Sequence, residues 1–136
     1  MEFHFQHNAL PGSLELAYLG DTLYDLHVRA HLVEKGGRVS DMHRRAIHLV
    51  CAHAQSEALA RIESALTEEE SAVVRRARNA KQVPTKHADA AEYHRATSLE
   101  ALIGYLYATG QIERMHALLE MALPAEIISD SAANGH

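Results

Sequence analysis

Apolar positions recur along most of this chain at the three-and-four spacing of helices, and glycine and proline fall between the runs. Pro11-Gly12-Ser13 precedes a first predicted helix, which Gly36-Gly37 ends. Ser40 caps a second, expected to run to about Ser64. Thr67-Glu68-Glu69-Glu70 is the capping-box pattern opening a third, to about Ala80. Gln82 to Thr85 reads as a loop. A fourth helical region covers about His87 to Ala108, with a break expected near Thr97, and Gly110 stops it. The last helix spans about Gln111 to Leu123, before Pro124 and a polar end, SDSAANGH, expected to be disordered. No stretch alternates with period two for long enough to make a strand, and no internal repeat is present. The expected fold class is an all-α helical bundle, one domain over residues 1–123 with a tail over 124–136.

One stretch of the first helix, LAYLGDTLYD, sets an aspartate among apolar neighbours. Leu16, Leu19, Leu23, Leu26, Ala30 and Val33 fall on one stripe, the expected core face. Asp21 projects roughly opposite, beside Leu14, Ala17, Tyr24 and Val28. A helix apolar on two sides is expected between two partners, within the domain or across a subunit interface. Asp21 would then sit at a junction, with Asp25 one turn on and Gly20 allowing close approach. A solvated Asp21 on the outer side of an ordinary helix fits the spacing equally well. Buried without a partner, its carboxylate would be costly, so a paired or metal-bound state is the alternative.

A second carboxylate, Glu100, lies in RATSLEALIGYLY beside the apolar stripe Leu99, Leu102, Ile103 and Leu106. It stacks over Gly104, and a glycine inside a helix costs about 1 kcal/mol relative to alanine, so a packing or access reason is expected. Thr97-Ser98-Leu99-Glu100 is also a capping-box pattern, in which Glu100 would only reach back to the backbone of Thr97.

Charge adds a third feature. The formal net charge is −5, which by itself points away from nucleic acid. Yet AVVRRARNAKQVPTKH, between Ser71 and Ala88, carries Arg75, Arg76, Arg78, Lys81 and Lys86 with no acid among them. Asn79 and Gln82 there can hydrogen-bond phosphate or sugar, and Arg44 and Arg45 could extend the surface. A solvated face and a nucleic-acid contact explain this run equally well. The 11 histidines show no HExxH and no zinc-type Cys–His spacing, which favours surface and partly buried side chains. The single cysteine, Cys51, placed on a helix face, cannot form an internal disulfide and suits a reduced, cytoplasmic setting. No apolar run reaches the roughly 20 residues that span a bilayer, and the N-terminus lacks the pattern of a signal peptide.

Taken together, these pieces resemble the ribonuclease III family. LAYLGDTLYDLHVRAHL resembles the signature helix of its catalytic domain, and SLEALIGYLY its second acidic motif. The similarity is strongest to the short bacterial branch, Mini-ribonuclease III. That branch has a helix like MHRRAIHLVCAHAQ, then TEEE with an RRxRNAK-like basic stretch, then the pattern running from Tyr93 to Tyr107. The resemblance covers about Ala9 to Leu123 and leaves no stretch for a separate double-stranded-RNA-binding domain.

What it implies is an all-α homodimer that cleaves double-stranded RNA with magnesium, for which manganese is expected to substitute, in maturing large-subunit ribosomal RNA precursor. A ribosomal protein is a further candidate partner. Asp21 and Glu100 match the family's catalytic and metal-binding carboxylates. Arg75, Arg76, Arg78, Asn79, Lys81 and Lys86 are the expected RNA contacts. Leu14, Ala17 and Thr97 stand where larger enzymes carry carboxylates, a thinner set that the short branch shares. Asp25 is a candidate to complete the metal shell. His43 and Gln55 match family positions with a structural or RNA-contacting role. Rival readings are a catalytically silent RNA-binding adaptor, which would need neither Asp21 nor Glu100, and a histidine-rich metal bundle, for which ligand spacing is lacking.

Overall fold

The computed structural model describes residues 5, 9–80 and 89–127, and every element among them is helical. In chain order they are α1 (Ser13–Lys35), α2 (Val39–Val50), α3 (Ala52–Ile62), α4 (Glu68–Asn79), α5 (Ala90–Ala108) and α6 (Ile112–Ala122), with a 3-10 turn, Glu63–Ala65, after α3. The all-α class is as expected. Helix α5 lies at the centre, packed against α1, α3 and α4, while α6 closes on α3 and α5.

Several helix ends follow from local chemistry. Gly36 ends α1 with φ +84°, a left-handed value that favours glycine, and its N–H donates to Leu32 and Val33 carbonyls. The Thr67 box forms as predicted: Thr67 Oγ1 accepts from the Glu70 N–H at 3.1 Å, and Glu70 Oε1 accepts from the Thr67 N–H at 2.9 Å.

Several expectations are corrected. The long second helix is two helices, because Cys51 is extended (φ −68°, ψ 162°) and caps α3 with its own carbonyl accepting from the Gln55 N–H. Ser40 does not cap α2; Arg38 holds that position without a side-chain cap. Cys51 is thus an exposed junction residue rather than part of a helix face. Helix α5 runs unbroken through Thr97. Its cap is Asp89, whose side chain accepts from the Glu92 N–H. Thr97 Oγ1 and Ser98 Oγ instead donate back to the Tyr93 and His94 carbonyls at 3.0 and 2.8 Å, the pattern of hydroxyls inside a helix.

The core face of α1 also differs from the expected stripe. Leu16, Ala17, Gly20, Tyr24, Val28 and Leu32 are buried, while Leu26 and Val33 are 63% and 64% exposed and Ala30 faces out. Leu19 and Leu23 are half-buried. The buried set is an i, i+4 ridge, and it packs where α5 comes closest. A Cβ built on Gly20 would stand 1.7 Å from the Glu100 carbonyl oxygen, and one on Gly104 would stand 2.0 Å from the Leu16 carbonyl oxygen. The two helices therefore touch backbone to backbone at a pair of glycines, which is the reason for Gly104. The main core collects Tyr24, Leu59, Ile62, Leu99, Leu102 and Leu118, and extends to Leu123 and Ile127 at the start of the polar end. The loop at Gln82–Thr85 and the segment 128–136 lie outside the described residues.

Candidate active site

The glycine crossing sets the spacing of the two carboxylates. Asp21 follows Gly20 directly, and the Glu100 carbonyl is what a side chain at Gly20 would strike. Both carboxylates line one cleft with Leu14, Ala17, Tyr18, Tyr93 and Thr97. Asp21 is exposed at its mouth and Glu100 half-buried. Leu14, Ala17 and Thr97 supply no acid to this cleft, so Asp21 and Glu100 are the two among its lining residues.

Glu100 carries the electrostatic signature of the site. Its carboxyl is pushed up to about 9, first by burial, then by its hydrogen bond with Asp21 and by the Asp21 charge, and a hydrogen bond from Gln55 opposes the shift. A carboxyl raised this far keeps its proton near neutral pH in the metal-free cleft. No lysine or arginine is ion-paired with either acid among the described residues. Two oxygen donors of this kind, deprived of a counter-cation, suit a hard divalent ion, which would take the place of that proton. Gln55, only 2% exposed, supports Glu100 from α3. Its family match was the sequence signal, though not for this role. His43 is remote from the cleft and lines an apolar groove between α1 and α2. Asp25 is not among the cleft residues, and its carboxylate accepts from Arg29 Nε at 3.0 Å.

The cationic stretch begins beside this site. Ala77 is fully buried against Leu16, Ala17 and Ala101, next to the crossing. Arg75, Arg76, Arg78 and Asn79 on the same last turns of α4 are exposed, and none of the three arginines is in an ion pair among the described residues. Arg44, by contrast, is bonded to Asp41. Lys81 and Lys86 lie outside the described residues.

Residues 14–111, which include both carboxylates and the crossing, match the ribonuclease III domain. The chain belongs to the ribonuclease III family. The Mini-ribonuclease 3 of Symbiobacterium thermophilum is 52% identical over 111 residues, covering 80% of this chain and 85% of that protein. That of Brevibacillus brevis is 44% identical, covering 83% and 86%. In three dimensions this ribonuclease III domain is similar to a Fusobacterium nucleatum protein of known crystal structure. The TM-score is 0.74 at 31% identity, over 81% of this chain and 89% of that one. No helix among the described residues is long and apolar enough to cross a membrane.

Proposed function

We propose that this chain is a magnesium-dependent endoribonuclease of the cytoplasm that cleaves double-stranded RNA. The observation that carries the reading is the meeting of Asp21 and Glu100 in one cleft with no lysine or arginine paired to them among the described residues. Both would hold the ion, with manganese as a working substitute, and Gln55 would orient Glu100. Held by these residues, such an ion would supply activation of water for attack on phosphorus and neutralisation of charge on the phosphate and departing oxygen. The chain's own groups bind and orient the duplex: Arg75, Arg76, Arg78 and Asn79 contact phosphates and sugars beside the cleft, and Lys81 and Lys86, next in sequence, are further RNA contacts. A-form RNA is read in this way, by shape and backbone rather than by base edges. Family resemblance points to large-subunit ribosomal RNA precursor as the substrate.

Exposed apolar side chains support a homodimer. Leu14 and Tyr18 (43% and 85% exposed) line the cleft with Asp21, and Leu26 and Val33 are exposed further along α1. Such a patch favours association, and two-fold closure would present two sites to one duplex. Sedimentation should give about twice the 15.0 kDa chain mass. The functional test is incubation of purified protein with a duplex RNA and its separated strands, with magnesium or with chelator. Cleavage of the duplex alone, and only with metal, is the expected result. Binding without cleavage under every metal condition would make the chain an adaptor and overturn the proposal.

A further inference from the structure

A second cluster of metal-ligating side chains lies away from the cleft, at the C-terminal half of α1. His27 is six residues beyond Asp21, about 9 Å further along the helix and roughly 120° around it. His27 and His31 stand one turn apart, as do His116 and Glu120 on α6, so each helix offers a pair on one face. The two pairs meet. Glu120 Oε1 lies 3.1 Å from His27 Nε2 and 2.7 Å from His31 Nε2, and the ligand atoms of the three residues all lie within 4.8 Å of one another. The His116 ring centre is 6.1 Å from that of His27.

Two details mark this as more than a chance ion pair. The His27 and His31 side chains are each only 12% exposed, and the buried His27 Nε2 lies 3.1 Å from the shared carboxylate oxygen without the alignment of a hydrogen bond. Moreover, α6 packs chiefly on α3 and α5, so these contacts add a direct polar link between α6 and α1.

We propose that His27, His31 and Glu120 form a second metal site, selective for a borderline divalent ion of the zinc class. Its fourth position is open to His116 or water. Two imidazoles and one carboxylate suit zinc, whereas the oxygen donors of Asp21 and Glu100 suit magnesium. Tetrahedral zinc places ligand atoms about 3.3 Å apart, near the 3.1 and 2.7 Å that separate Glu120 Oε1 from His27 and His31 Nε2. A bound ion would accept the His27 Nε2 lone pair and tie α6 to α1. The site is structural, independent of RNA cleavage.

The test uses the full chain stripped of metal. Zinc titrated against a chromophoric chelator should bind at one equivalent per chain, and saturating zinc should raise Tm by about 5–10 °C. Cobalt should give the intense visible bands of a four-coordinate ion in the unaltered protein. His31→Ala and Glu120→Gln should each weaken zinc by at least the roughly 10–100-fold that loss of a supporting partner costs. Asp21→Asn with Glu100→Gln should leave zinc affinity unchanged. Equal zinc affinity in the unaltered chain and in His31→Ala, loss of zinc only in the Asp21–Glu100 variant, or six-coordinate cobalt bands would overturn the proposal.

Discussion

Two segments of this chain spell Thr-x-x-Glu, and their glutamates do opposite things. At Thr67–Glu70 the chain arrives extended, Thr67 caps α4, and Glu70 bonds back to it. Glu70 then accepts from Arg114 Nε and Nη2, each at 2.9 Å. The Arg114 hydrogen bonds, against some desolvation, hold its carboxyl below the usual carboxylate range. At Thr97–Glu100 the chain is already helical from Asp89, so Thr97 bonds to the turn before it and Glu100 is left free of capping. Burial and Asp21 then drive its carboxyl upward. A buried glutamate that is fully paired serves the fold. One set against another acid, with no cation, is poised for something to bind.

The largest effect expected from breaking this contrast is at the cleft. Asp21→Asn keeps the shape but removes an anionic ligand, and should lower duplex cleavage by at least about a hundredfold, the scale of losing one charge-stabilising group from an active site. Helicity by circular dichroism should be unchanged. Next comes the crossing that brings the acids together. Gly104→Ala forces a Cβ into the Leu16 carbonyl and should cost about 1–3 kcal/mol or more by denaturant unfolding, with cleavage falling alongside.

At the cap, Glu70→Gln loses charge-assisted bonds to Arg114 and should cost about 1–3 kcal/mol at neutral pH. The sign with pH follows from the lowered pKa. The stability Glu70 supplies is present above the unfolded-state carboxylate value and is lost as pH falls through its folded value. Acid titration of Tm should therefore be shallower in Glu70→Gln. The smallest effect is on the α4 surface. Each of Arg75, Arg76 and Arg78 that contacts phosphate should, when neutralised, reduce the log–log salt slope of RNA binding by roughly 0.7–0.9, taking DNA values as a guide. An unchanged slope would mean that these side chains only solvate the helix.

The contrast also explains what could be read from residues alone. Ends with their own chemistry were legible: Gly36 after α1, the Thr67 box, Gly110 after α5. The break at Cys51 was not, because neither glycine nor proline marks it. The core face of α1 was misread because apolar residues surround that helix. What selects the buried ridge is Gly20 meeting Gly104, a contact 84 positions apart in sequence. Asp21 and Glu100 were legible through the family pattern, whereas Gln55's support of Glu100 depends on how α3 packs on α5. The histidine cluster was missed for a similar reason. Its i, i+4 pairs are visible in HVRAH and HALLE, but only the fold brings them together.

The most direct test of the central claim sets Glu100→Gln beside Glu70→Gln in one experiment, measuring Tm and magnesium-dependent cleavage of a duplex RNA. Glutamine mimics the protonated Glu100 of the metal-free pair, so Glu100→Gln should keep its Tm at neutral pH and lose nearly all cleavage. Glu70→Gln should lose Tm and still cleave whatever fraction stays folded. Cleavage by Glu100→Gln at the unaltered rate would contradict the account.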